Sequence, residues 1–150
     1  MLTGQMPQHF LLFDTEYFWF DTFSKTLENV EDIKEEEKIE TTAVVFIHVE
    51  LEDEEKKNKI IKNPVKNFKW YLNKVNKEGI ILHSFAHLSS STSSPEFASQ
   101  IISEIKEKLE NKGIEVHTTP FGYFSEFSIH VRGESLAKFS KRFKKHQDIL

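Results

Sequence analysis

A single α/β domain of the mixed α+β kind, with helices packed on a sheet, is what the sequence predicts, and three observations carry that expectation. The chain has 150 residues, a length suited to one well-buried core. Strand-length runs rich in Phe, Ile and Val alternate with longer segments whose apolar residues recur at helical spacing. Cap and turn residues separate these runs and set them in the order β-β-β-α-β-α-β-β-α, without an internal repeat.

Taken in order, residues 1–8 read as a loose start, and Phe10-Leu11-Leu12-Phe13 begins a buried strand. Asp14 to Thr22 follows as a second, aromatic-rich strand carrying Tyr17, Phe18, Trp19 and Phe20. Glu28 to Glu40 is acidic and predicts a solvated loop or a short helix. Thr41 to Glu50 is β-branched and almost continuously apolar, as in a central strand covered on both faces. Asn63-Pro64 predicts a helix start, with Asn at the cap and Pro at the first position. Val65, Phe68, Leu72 and Val75 then form one stripe, and Gly79 stops the helix. Ile80 to His87 reads as a core strand. Ser94-Pro95 opens a second helix with Phe97, Ile101, Ile105 and Leu109 inward and Gly113 at its end. Ile114 to Thr119 is a further core strand, and Thr119-Pro120-Phe121-Gly122 a turn. The next strand alternates, with Tyr123, Ser125, Phe127, Ile129 and Val131 on one face. Ser135 is read as the cap of a last helix that turns Leu136, Phe139 and Phe143 inward and Lys138, Lys141, Arg142, Lys144 and Lys145 outward.

Composition narrows the function classes. With 20 Lys and Arg against 24 Asp and Glu, the net charge of −4 excludes a uniformly basic nucleic-acid binder but leaves room for a local basic face. The absence of Cys excludes a disulfide framework, a Cys-ligated zinc site and a thiol nucleophile. No apolar run approaches a membrane span and the start lacks a signal-peptide pattern, so a cytoplasmic domain is expected.

Several groups are candidates for chemistry. His48, His83, His87, His117 and His130 would make a zinc site only if about three converged, and ordinary half-exposed histidines account for most of them better. His87 ends a core strand, where ligands dock in α/β sheets, and either orients a water or substrate carbonyl or bonds a loop carbonyl. Ser89 to Ser94, six consecutive hydroxyl residues, leads into a helix N-terminus that favours anions, although a solvated loop with an N-cap explains it more simply. Pro120-Phe121-Gly122-Tyr123-Phe124 combines turn amides, carbonyls and stacking rings, a set suited to a nucleobase or a hairpin that completes the core. The basic face of the last helix would track a phosphate backbone or complement its own dipole. G-x-S-x-G, P-loop and G-x-G-x-x-G motifs are absent.

Three segments together resemble a known family. Phe85-Ala86-His87-Leu88-Ser89-Ser90, then Pro120-Phe121-Gly122-Tyr123, then the ending over Gly133 to Ser140 are similar to the archaeal threonyl-tRNA synthetase N-terminal editing domain. The similarity is densest from Ile80 to Phe143 and extends to Leu11-Leu12 and Val45 to Glu50. It implies a D-aminoacyl-tRNA deacylase-like fold, a homodimer, and hydrolysis of serine wrongly attached to threonine tRNA. It also implies the tRNA 3′ end as partner, a fused or separate synthetase catalytic domain, and neither cofactor nor metal. The chain has no room for that catalytic domain, so it reads as a standalone protein or a fragment.

The resemblance assigns substrate binding to Val45, Ala86, Pro120, Phe121, Gly122, Tyr123 and Phe124, and catalytic positions to His87, Ser125 and Lys138. His87 matches the family histidine. Ser125 stands where the family has a lysine, and Lys138 where it has a glutamate. Either Lys138 compensates in space for the missing lysine, or the chemistry rests on main-chain groups and the terminal ribose 2′-OH; the second is favoured, because a hydroxyl beside the ester activates water without a side-chain base. A D-aminoacyl-tRNA deacylase and a non-catalytic RNA- or amino-acid-binding module are the alternatives.

Overall fold

The computed structural model describes residues 9–50, 57–85 and 93–142. Its elements are β1 (His9–Lys25), β2 (Glu36–His48), α1 (Lys57–Val75), β3 (Gly79–Ser84), α2 (Pro95–Asn111), β4 (Glu115–Thr118), β5 (Tyr123–Val131) and β6 (Lys138–Arg142). One mixed sheet runs β4-β3-β2-β1-β5, and β6 continues the β5 edge by pairing with β1. β2, β3 and β4 are parallel, linked through α1 and α2, while β1 is antiparallel to all three of its neighbours. The α+β class is therefore as the sequence predicts. Among the described residues no helix is long and apolar enough to cross a membrane.

Two cores flank the sheet. On the helix side Phe10, Leu12, Val45, Ile47 and Leu82 meet Phe68, Tyr71 and Leu72 of α1 and Ile101, Ile105 and Leu109 of α2. The other face gathers Phe18, Phe20, Val44, Phe46 and Ile81, with Phe13, Phe85 and Ile129 against them. An irregularity at mid-strand explains the pattern. The β1–β5 register shifts between Thr15 and Tyr17, and Thr41, opposite on β2, has φ 55°. Before that point the odd-numbered Leu11 and Phe13 point to the aromatic face; after it the even-numbered Phe18 and Phe20 do. A bulge reverses which alternate residues face the core, so the apolar alternation has to change phase with it. Beyond the bulge the sheet folds over its own aromatic face: the Phe20 ring lies 5.9 Å from His117 on β4, and His117 Nε2 lies 3.2 Å from Glu35 and 3.3 Å from Glu37.

Five local expectations are corrected. The two N-terminal strands are one 17-residue strand. The acidic stretch is neither loop nor helix throughout, since Glu36 to Glu40 pair with Tyr17 to Asp21 of β1. Polar contacts tie this stretch to β1: its own Lys34 bridges Asp21 at 2.8 Å, and the Trp19 indole of β1 donates to Glu36 at 2.8 Å. Pro64 lies inside α1 rather than at its start, with Val65 and Phe68 beside it in the core. The helix stops at Val75, followed by Asn76 in the left-handed conformation (φ 57°), while Gly79 begins β3.

The last correction concerns the expected C-terminal helix. One 3-10 turn at Ser135–Ala137 gives way to β6, where His9 to Phe13 pair with Arg142 to Lys138. β5 covers β1 only from Thr15 onward, so the N-terminal end of β1 offers unpaired backbone groups that a strand satisfies and a helix does not. Phe139 still packs inward, 5.5 Å from the ring of Trp70 and 6.1 Å from Tyr71. Phe143, Lys144 and Lys145 lie outside the described residues.

Candidate functional site

A cavity of about 250 Å³ opens where the parallel strands β2, β3 and β4 end. Ile47 to Val49, His83 to Phe85, and Thr119 form its strand-end wall; Ser93, Pro95 and Ala98 bring in the start of α2; Pro120 to Ser125 and Phe127 close the remaining side. A crevice at the carboxyl ends of parallel strands is the usual ligand position in α/β sheets. At the α2 end Ser94 caps the helix, its hydroxyl accepting from the Phe97 amide at 3.2 Å, with Pro95 at the first position. The positive end of the α2 dipole therefore faces the cavity.

The turn is held from outside. Gly122 has φ 85°, and a Cβ there would lie 2.8 Å from Val30 Cγ1, so only glycine fits. The Thr26 amide donates to the Gly122 carbonyl at 2.7 Å, and the Ile33 amide donates to the Tyr123 hydroxyl at 2.7 Å, which itself donates to the Glu31 carbonyl. Residues 26–33 thus brace the turn and fix the aromatic rim.

His83 stands at the back, buried among Phe18, Phe46, Phe85 and Phe127. Its Nδ1 bonds the Thr119 hydroxyl at 2.9 Å. Burial penalises the imidazolium and lowers His83 from 6.5 to about 4, so the ring is neutral at physiological pH. Among the described residues the lining carries no carboxylate, ammonium or guanidinium; it is hydroxyls, imidazoles, aromatics, aliphatic side chains such as Leu27, Ile47 and Val49, and main chain.

Of the residues singled out from the sequence, Pro120, Phe121, Gly122, Tyr123, Phe124 and Ser125 line this cavity together. Val45 does not: it is fully buried in the helix-side core, two residues before Ile47. Lys138 is also elsewhere. It pairs with Phe13 of β1 whereas Ser125 pairs with Thr22, about 30 Å further along that strand. Its ammonium donates to the carbonyls of Arg132 at 3.0 Å and Glu134 at 3.4 Å. Ala86, His87 and the hydroxyl run from Ser89 to Thr92 lie outside the described residues; β3 ends at Ser84, three residues before His87. The histidines do not converge on one another among the described residues: His48 and His83 share the cavity, His130 packs edge-on against Tyr17, and His117 lies with Glu35 and Glu37 in a group whose ligand atoms are within 4.8 Å of one another. Sequence reasoning missed His83 and Thr119 as a hydrogen-bonded pair; an isolated His at a polar position of an otherwise apolar strand was the available signal.

Residues 8–143 match the model of a family described as the archaea-specific editing domain of threonyl-tRNA synthetase. Among curated proteins, the threonine--tRNA ligases of Methanobrevibacter smithii, Thermococcus sibiricus and Pyrococcus furiosus are 36%, 35% and 32% identical to the chain over 87% of its length. The chain spans about a fifth of the length of these relatives, 22%, 21% and 21% respectively. Among solved structures, the c-Myc DNA Unwinding Element Binding Protein superposes with a TM-score of 0.62 at 13% identity, covering 89% of this chain and 97% of that one, a likeness of fold alone.

Proposed function

The chain belongs to the archaea-specific editing domain family of threonyl-tRNA synthetase, and from that premise we propose that it is an aminoacyl-tRNA deacylase that removes L-serine wrongly attached to threonine tRNA. The observation that carries the mechanism is the character of the cavity: small, at the strand ends, and lined among the described residues by no charged side chain. Such a lining holds an aminoacyl ester and a terminal adenosine through turn amides and carbonyls, with Phe121, Tyr123 and Phe124 as the aromatic surface.

Serine and threonine differ by one methyl group, which a pocket converts into only about 1–3 kcal/mol, so a synthetic site alone discriminates poorly. A second cavity that rejects the extra methyl by size supplies the missing selectivity. Hydrolysis proceeds by attack of water on the ester carbonyl, a tetrahedral intermediate, and departure of the ribose oxygen with a proton, giving free serine and tRNA. The terminal ribose 2′-OH, adjacent to the ester, orients and activates the water. The helix N-terminus and the turn amides stabilise the charge that develops on the carbonyl oxygen. Neutral His83, tied to Thr119, is a positioning residue: it keeps the back wall in one arrangement without adding charge. Ser125, in place of the family lysine, contributes a hydroxyl at the rim.

With this function go a cytoplasmic setting, a homodimer, and a synthetase catalytic domain acting on the same tRNA, with no cofactor. A non-catalytic module that binds the aminoacyl end is the second reading, favoured by the same absence of charge. The test replaces the terminal 2′-OH of seryl-tRNA(Thr) by hydrogen. Turnover is expected to fall by at least about 100-fold, within the range of general acid–base contributions, while His87→Ala retains most activity. Persistence of hydrolysis on the deoxy substrate together with loss in His87→Ala would transfer the chemistry to the side chain, and binding without hydrolysis of either substrate would favour the non-catalytic module.

A further inference from the structure

We propose that the groove between α1 and α2 is an RNA-backbone site that holds the double-stranded body of the tRNA while its 3′ end occupies the strand-end cavity. The groove encloses about 810 Å³ and lies away from that cavity. Lys62, Lys66 and Lys69 of α1 line one wall, Lys108 and Lys112 at the end of α2 the other, and Glu104 is the single acid among the lining residues. A chain with net charge −4 thus concentrates five of its 20 Lys and Arg in one groove. The ion pairs described elsewhere in the molecule use other cations: Lys25, Lys34, Lys77 and Arg132.

Helix-dipole complementation accounts for Lys108 and Lys112, which lie at a helix C-terminus, but not for three lysines within α1. Those three recur at i, i+4 and i+7, one ridge about 10 Å long. Like charges so arranged repel one another unless a polyanion lies along them. Trp70 stands beside the ridge, 41% exposed although an indole is costly to leave in water. Ammonium groups beside an open aromatic ring suit phosphates and sugar or base edges together.

The two sites share one element. Ala98 of α2 lines the cavity, while Lys108 and Lys112 lie about 15 and 21 Å along the same helix. A stem resting on the lysines therefore presents its single-stranded end to the cavity. This assignment rests on the deacylase reading for the identity of the RNA, and the closing experiment separates the two.

Uncharged threonine tRNA is titrated against the protein and the charge-reversed variant Lys62→Glu/Lys66→Glu/Lys69→Glu, with the fold of each checked by circular dichroism. Lys74→Glu, on α1 but outside the groove, is the control. The triple variant is expected to bind at least about 10-fold more weakly and to lose about 0.9 of the log K against log salt slope per phosphate contact removed, with Lys74→Glu unchanged. Hydrolysis of a seryl ester on a short 3′-end oligonucleotide should be unaffected, whereas KM for full seryl-tRNA rises. Unchanged affinity and slope in the triple variant, an equal loss in Lys74→Glu, or competition by polyglutamate as strong as by duplex RNA of equal charge would each overturn the proposal. Groove-dependent tRNA binding without any serine release would defeat the deacylase reading and leave the RNA site standing. Serine release with unchanged KM in the triple variant would do the reverse.

Discussion

His83 shows how one residue ties stability to the site. In the folded chain burial keeps its imidazole neutral down to about pH 4, whereas in the unfolded chain it gains a proton near its ordinary value of 6.5. Between those values the unfolded state binds more protons, so stability is full above about 6.5 and falls as pH drops towards 4. The loss attributable to His83 between pH 7.5 and 5 is about 2 kcal/mol. Urea midpoints at the two pH values should show it, and His83→Gln should flatten that part of the profile; an identical profile in the variant would remove His83 as the cause. His83 was not legible as a site residue, because its role depends on Thr119, which reaches it only through the parallel pairing of β3 and β4. That Pro120 to Phe124 come together at one place was legible, since a Pro/Gly turn carries its own geometry in adjacent residues, and they line the cavity. Lys138 was singled out by the family resemblance; its place on β6 ties its ammonium to the carbonyls of Arg132 and Glu134, outside the lining of the cavity.

At the scale of elements, α2 and the central strands were legible because capping, helical spacing and β-branched runs agree there. β6 was not. Ser135, Leu136 and Phe139 carry a helical pattern, and the pairing that overrides it comes from β1, more than a hundred residues away in sequence. The extent of β1 was hidden for a related reason: the bulge near Thr15 breaks a continuous alternation into what reads as two strands. Phe139→Ala tests the strand assignment. Phe139 is half-buried against Trp70 and Tyr71, so its removal is expected to cost about 2 kcal/mol, below the range for fully buried Phe, and to shift Trp70 emission to longer wavelength. A change below about 0.5 kcal/mol, the range of exposed substitutions, would mean that β6 does not hold the edge.

For the whole molecule, if a chain of net charge −4 is to bind a polyanion, as proposed, its positive charge has to be concentrated rather than spread. By sequence alone that concentration is expected over Lys138 to Lys145 near the C-terminus. Among the described residues five lysines gather between α1 and α2, from positions that only the packing of two helices on one sheet face brings together, while Lys144 and Lys145 lie outside the described residues. The same packing aims the α2 N-terminus at the strand-end cavity, so that in the proposed arrangement the strand ends and that helix start would take the aminoacyl end and the helix layer the remainder of the RNA. The measurement that bears most directly on this account compares release of serine and threonine from separately charged threonine tRNA. Serine is expected to be released at least about 10-fold faster, the lower bound of what one methyl group provides in a fitted pocket. Equal release of the two amino acids, or of neither, would contradict it.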